Sequence, residues 1–556
     1  EYATGEDPLI SHELGHQWFG DLVTCKDWGN IWLNEGFATF MERWWVEHYF
    51  PKDQIEYELW NDAKDWMESP GLYEKPIVRH DFDDSSEFDG NAYNKGGWVL
   101  FMLRHQIGEE NFFAGLKHYL EVNRGKNVVT ADLTRAIEEA THINLDQFFS
   151  QWVYGAGAPR FDLAYTYDDT KHKVTLKVKQ TQKLEGRVGL FTLPLNVEIS
   201  TASGAKEYPI TVSKAEEEFS FPADSAPSMV LFDKGGHFLK SAEFHKDKKE
   251  WLYQLKNATE TADRLDAVDA LGKLKDDTDA VASLGDALKS DKAWGVRATA
   301  ADGLGAAKSP AAAKLLLQAL DTANAPWVRS RIVAALGNFK DNKDVLARVS
   351  AVAHEDKSFR ARASALQALG KLKAPGALEE LNAAVAADSP DAFLRNAALR
   401  SMGELGDDKA VPTLRDWASV GKRIETRQAA ISSLARLDKN NKEITQQIAS
   451  YLMEPHFPVR ISSIFALGTR GDSSAIPALE ALLKSDDLSI EMAPMIKGQI
   501  ARLKKGPGKG PEEASDGDKG EAESAAVSRR LERLEKLIQE MNERLKLIEE
   551  KLPPKK

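Results

Sequence analysis

Apolar positions along the 556 residues change their spacing from one stretch to the next, and each spacing predicts a different element. Near the start, Asp7 suits a helix cap and Pro8 the first helical position, where a missing N–H costs nothing, so the residues from Pro8-Leu9-Ile10-Ser11 onward are expected to be helical. Trp98-Val99-Leu100-Phe101-Met102-Leu103 is an apolar run that also reads as helix. From about residue 160 the pattern becomes alternation: Phe161, Leu163 and Tyr165, then Val174, Leu176 and Val178, then Leu193, Leu195, Val197 and Ile199. Asp168-Asp169 and Ser203-Gly204 suit the turns between them, so a small β-sandwich is expected.

After residue 246 Ala and Leu dominate and a repeat emerges. Arg264, Arg297, Arg329, Arg360, Arg395, Arg427 and Arg460 recur every 31 to 35 residues, each leading into an alanine-rich apolar helix. Helix pairs of that length stack into a solenoid, and Val296-Arg297, Trp327-Val328-Arg329 and Pro458-Val459-Arg460 resemble HEAT-type repeats. The arginines are read as ties between adjacent repeats. A Gly- and Pro-containing stretch, 505–526, reads as a flexible linker. Beyond it, Val527, Leu531, Leu534, Ile538, Met541, Leu545, Ile548 and Leu552 alternate in steps of four and three, a coiled-coil seam. With Leu531 and Ile538 at a positions, Arg530 and Arg544 face Glu535 and Glu549 in a parallel homo-oligomer.

The chemistry is concentrated near the start. His12-Glu13-Leu14-Gly15-His16 places two imidazoles four residues apart, on one helix face, where both meet a single ion. A catalytic zinc takes three protein ligands and keeps a position for water. Eighteen residues separate His16 from Glu35, which is well placed as the third donor. Glu13, beside the metal but not on it, is then the general base and acid.

These residues resemble the zinc aminopeptidases of the aminopeptidase N and leukotriene hydrolase family, through His12-Glu13-Leu14-Gly15-His16-Gln17-Trp18-Phe19-Gly20-Asp21 and Trp32-Leu33-Asn34-Glu35-Gly36-Phe37-Ala38. The eighteen-residue gap is the spacing of that family, and thermolysin-like endopeptidases use one residue more. The resemblance implies a thermolysin-like α lobe, one zinc held by His12, His16 and Glu35, and catalysis by Glu13. In the segment Tyr93-Asn94-Lys95-Gly96-Gly97 it implies that Tyr93 donates a hydrogen bond to the oxyanion. It also implies a Gly-x-Met-Glu-Asn strand, whose glutamate binds the substrate's α-amine, some thirty residues before the zinc helix. Only eleven residues precede His12 and none matches, so the chain reads as a fragment of a longer gene product, weakly active by itself.

Composition narrows the alternatives. A net charge of −13 argues against nucleic-acid binding, and no apolar stretch reaches membrane-span length. The one cysteine, Cys25, excludes an internal disulfide and is expected to be a packed thiol. The expected architecture is multidomain and mainly α: catalytic domain 1–158, β-sandwich 159–245, HEAT-like repeats 246–504, linker 505–526 and coiled coil 527–553. The expected function is a zinc aminopeptidase acting on peptides. Its competitors are an interaction scaffold built on a peptidase-like fold, and an endopeptidase or epoxide hydrolase on the same metal site. Sedimentation should show an oligomer at micromolar concentration that becomes a monomer when residues 527–556 are deleted; a monomer in both cases would remove the coiled-coil reading.

Overall fold

The computed structural model describes residues 6–69, 71–79, 88–485 and 492–505. Its first part holds α1 (Glu6–Gly15), α2 (Trp32–Tyr49), α3 (Lys52–Glu68), α4 (Gly96–Ile107), α5 (Glu109–Val122), α6 (Thr130–Thr141) and the short α7 (Asp146–Phe149), with a two-residue parallel pair, β1 (Thr24–Cys25) and β2 (Asn127–Val128). Asp7 lies inside α1 and is not its cap, because the helix starts two residues before Pro8, at Glu6. The expected helix over Trp98–Leu103 is the middle of α4, and its side chains are buried all round. Trp32, Phe37 and Phe40 of α2 pack into the same core. Cys25 is buried there, which pushes its thiol up to about 11, as suits a packing thiol.

The α2–α4 contact is backbone on backbone. A Cβ added at Gly36 would lie 3.0 Å from the Gly96 Cα and 3.1 Å from the Ala92 carbonyl oxygen. Only glycines permit that approach.

The alternating segments form strands: β3 (Arg160–Asp168), β4 (Lys173–Gln180) and β5 (Leu193–Thr201). Four more follow, β6 (Gly204–Val212), β7 (Glu216–Pro222), β8 (Met229–Phe232) and β9 (Ser241–His245). Their order is β7-β4-β3-β9 in one sheet and β6-β5-β8 in the other. Phe161 meets Phe232 and Tyr208 meets Phe221 across the sheets, with ring centroids 5.0 and 4.9 Å apart. β6, β7 and β9 each bury at most one residue fully, which weakens the alternation that would announce them.

Helices then run to the end of the described residues: α8 (Lys248–Asn257), α9 (Thr261–Gly272), α10 (Thr278–Ser290), α11 (Trp294–Ala307), α12 (Pro310–Thr322), α13 (Pro326–Leu336), α14 (Lys343–Glu355), α15 (Phe359–Leu372), α16 (Ala377–Ala386), α17 (Phe393–Leu405), α18 (Val411–Ala418), α19 (Ile424–Leu434), α20 (Lys442–Ser450), α21 (Phe457–Arg470), α22 (Ile476–Leu482) and α23 (Met492–Lys505). α9, α11, α13, α15, α17, α19 and α21 pack side by side in one row, the others behind them. Five of the seven recurrent arginines tie the array. Arg264, Arg329 and Arg427 each reach a carboxylate 27 residues on, Asp291, Asp356 and Glu454, while Arg360 and Arg395 lie over the rings of Trp327 and Trp417. The expected linker beyond Lys505 and the coiled-coil seam lie outside the described residues.

α3 joins the first part of the molecule to the start of the helical array. Along one face Lys52, Trp60 and Lys64 bond Glu260, Asp266 and Asp269, and Tyr57 accepts Arg331 while packing on Trp294.

Because the Gly36 position admits no Cβ without parting α2 from α4, Gly36→Ala should destabilise the protein by about 1–3 kcal/mol. A urea-unfolding midpoint unchanged from the parent would refute the close contact.

Candidate metal centre and catalytic cleft

α1 and α2 lie against each other, so the imidazoles of His12 and His16 face the first turns of α2, where Glu35 stands. The Glu35 Oε2 is 3.5 Å from His12 Nε2 and 3.4 Å from His16 Nε2. Three donors each about 2.1 Å from a tetrahedral zinc are themselves about 3.4 Å apart. Among the described residues these three are the group of such donors whose ligand atoms all fall within 4.8 Å of one another. The donor set therefore fits zinc in number, type and separation.

The remaining ring nitrogens fix which atom of each imidazole is turned to Glu35. His12 Nδ1 is 3.4 Å from Glu42 Oε2, and His16 Nδ1 is 3.1 Å from the Phe19 carbonyl oxygen. Each Nδ1–H thus donates outward and each Nε2 lone pair is left for the metal. Glu42 was not expected from the sequence. Its signal is helical period: Glu35, Thr39 and Glu42 are i, i+4 and i+7 on α2, and all line the cleft.

Electrostatics gather positive charge at this point. The Glu35 hydrogen bond, then that of Glu42, raises His12 to about 9 despite burial, and Glu35 raises His16 as well. Burial works to raise the Glu35 carboxyl, yet hydrogen bonds from the two imidazoles outweigh it and hold it at about 2. A divalent cation satisfies the same negative charges that these protons satisfy here.

Tyr93 lies on a π-helical turn, Asn91–Lys95, that leads into α4. Its ring stacks over His12 with centroids 6.2 Å apart. Burial, then the nearby Glu35 charge, lifts the phenol to about 12, so it stays a hydrogen donor at neutral pH. Lys95 on the same turn is wholly buried, which pulls its ammonium down to about 7. Glu13 is exposed at the cleft mouth, and His12, Glu13, His16, Glu35 and Tyr93 all line one cavity of about 670 Å³. The far wall adds Arg43 of α2 paired with Asp62 of α3, neither singled out in the sequence. No local motif marks this pair, since its partners sit on different helices.

Peptidase family M1 domain is matched by residues 5–152, and HEAT repeats by segments 249–337, 323–398, 346–435 and 421–493. The chain is similar to human glutamyl aminopeptidase, at 38% identity over 27% of this chain and 16% of that one. It is similar to aminopeptidase N of Lactococcus lactis, at 35% identity over 34% of this chain and 23% of the other. It is also similar to a probable aminopeptidase 1 of Saccharolobus solfataricus, at 30% identity over 37% and 29%. The chain therefore spans less than a third of the length of each of these relatives. In fold it resembles the crystal structure of Legionella pneumophila aminopeptidase A in complex with aspartic acid, with a TM-score of 0.60, 16% identity, and coverage of 89% of this chain and 61% of that one. Residues 5–152 therefore carry a peptidase family M1 domain, and HEAT repeats follow it.

Proposed function

We propose that this chain is a zinc-dependent metallo-aminopeptidase that removes N-terminal residues from peptides. The observation that carries the reading is the convergence of three donors at zinc-ligand separation with Glu13 and Tyr93 around the same cleft. His12, His16 and Glu35 hold the metal. When bound, zinc polarises the scissile carbonyl as a Lewis acid and acidifies a water. Glu13 takes the proton of the attacking water and hands it to the departing amine. Tyr93 donates its phenolic hydrogen to the carbonyl oxygen as negative charge develops there. Glu42 holds His12 in the tautomer the metal needs. In this reading residues 1–158 are the catalytic domain, 159–245 a β-sandwich and 246–504 the repeats, with self-association through 527–553. The restriction to a free N-terminus rests on the aminopeptidases the chain resembles.

A matched pair of fluorogenic peptides, one with a free amine and one N-acetylated, tests the proposal. Chelator-sensitive cleavage of the free-amine form alone is expected. Cleavage of both would make the protein an endopeptidase, and cleavage of neither would leave a scaffold.

Two further outcomes follow from the geometry. Glu13→Gln should retain zinc by elemental analysis yet lose hydrolysis by about 10²–10⁴-fold, and Tyr93→Phe should lower kcat about a hundredfold with little change in KM. In chelator-treated protein the raised His12 stabilises the fold fully below its ordinary pKa of 6.5 and loses that contribution as pH rises through about 9. The melting temperature of the chelated protein should therefore drop across that window, and Glu35→Gln should flatten the drop. A drop of the same size in the variant would show that other groups are responsible.

A further inference from the structure

Acidic residues stand at every third position along α9 and just before it: Glu260, Asp263, Asp266 and Asp269. Each of them holds a segment from outside the helical array. Glu260 and Asp269 take the ammonium groups of Lys52 and Lys64 on α3, and Asp266 takes the indole N–H of Trp60. Asp263 accepts the backbone N–H of Gly235, which lies 3.2 and 3.3 Å from its two carboxylate oxygens. It is the one fully buried member of the four, 4% exposed, and it pairs with no cation among the described residues.

The turn that donates to Asp263 requires glycine. Gly235 and Gly236, between β8 and β9, have φ of +81° and +68°, in the left-handed region. A Cβ on Gly235 would come within 3.0 Å of His237 Nε2, and one on Gly236 within 3.3 Å of the Ala262 Cβ on α9. The other side of the same turn rests on α4. The Leu239 N–H donates to the Met102 sulfur at 3.3 Å, and the His237 ring stacks on His105 with centroids 3.9 Å apart. One short turn therefore links the β-strands, α4 and α9, and Asp263 is what its hydrogen bond grips on α9.

A carboxylate withdrawn from water without a cation is costly to keep ionised. The groups that face Asp263 do not relieve that cost. Asp266 on its own helix and Asp233 on the turn are acidic, Lys240 donates to Asp233, Lys246 donates to Gln254 of α8, and Lys52 of α3 lies between Glu56 and Glu260. The other titratable groups of the turn and α4 are the stacked His237 and His105. Burial, then the Asp266 charge, lifts the Asp263 carboxyl from its ordinary 3.8 to about 7. We propose that Asp263 is a proton-operated latch: with its proton it seats the β8–β9 turn on α9, and without it the turn is released. Release returns the carboxylate to water, where it binds the proton more weakly, so the released state is favoured as pH rises. The cost of ionising the buried group begins above pH 3.8 and is complete above about 7, so mild acid tightens the seat and mild alkali loosens it. With those limits the released fraction grows about tenfold from pH 6 to 8. α3 is bonded to the same acidic stripe and supplies Asp62 to the cleft, so the latch lies one helix from the candidate reaction centre. The latch does not depend on the peptidase reading.

The test is amide hydrogen exchange, resolved to single residues, on the full 556-residue chain with zinc present throughout. Each rate is divided by the intrinsic rate at its pH, so that only protection is compared. Protection of the Gly235 N–H should fall about tenfold from pH 6 to 8 in the parent chain. It should stay level in Asp263→Asn, which keeps an oxygen acceptor for Gly235 and cannot ionise. Asp266→Asn withdraws the neighbouring charge and should shrink the factor, which keeps the proposal open to refutation if Asp263→Asn does not fold. The Leu239 N–H, held by Met102 of α4, serves as the internal reference and should keep its protection over the same range. Level protection of Gly235 in the parent, or an unchanged factor in Asp266→Asn, would overturn the latch. An equal fall in Asp263→Asn would overturn it in favour of another titrating group, with His237 the first to examine. A parallel fall at Leu239 would overturn it by showing that the turn itself unfolds.

Discussion

The catalytic cleft depends on how closely two helices can approach. α2 and α4 meet at Gly36 and Gly96 with no side chain between them, and the residues on either side of that contact are Glu35 and the turn bearing Tyr93. A carboxylate that must reach two imidazoles, and a phenol that must lie over one of them, are therefore set by the same backbone spacing. Burial makes the arrangement exacting. Glu35 is held charged in a half-buried setting only because His12 and His16 offset its desolvation. A small separation of α2 from α4 would loosen Glu35 and Tyr93 together.

α3 extends the same logic outward. Its cleft side gives Asp62, which holds Arg43 of α2, while its other side is bonded to α9, α11 and α13 through Glu260, Asp266, Asp269, Trp294 and Arg331. Burial raises Asp62 even with Arg43 beside it, so the wall of the cleft is anchored by a charge pair that the helical array helps to seat. The repeats thus reach the cleft through one helix.

Much of this was legible in the sequence. His12, Glu13, His16 and Glu35 are close in the chain, and helical period alone brings the two imidazoles together. Tyr93 required a resemblance, because nothing local says that Asn91–Lys95 turns back over α1. The arginine series announced its role through spacing, and the carboxylates 27 residues on complete the ties. The strands after β5 were harder: β9 shows mostly exposed residues and pairs in parallel with β3 across a long stretch of chain, so neither alternation nor a hairpin turn marks it. Glu42 and the Arg43–Asp62 pair were passed over because acidic and basic residues on helices are usually solvated faces. Only the packing of α1 and α3 against α2 turns those positions inward.

Among the described residues, the bonds that fasten α3 to the array involve only its near end, from Glu260 to Arg331. An array of repeats is held by nearest-neighbour contacts, so its far end is energetically remote from the cleft. Unequal recombination could add or delete whole units beyond α13 without disturbing a single catalytic atom. The number of repeats is then a trait that can drift or be selected on its own, and related proteins of very different length can share one unchanged reaction centre.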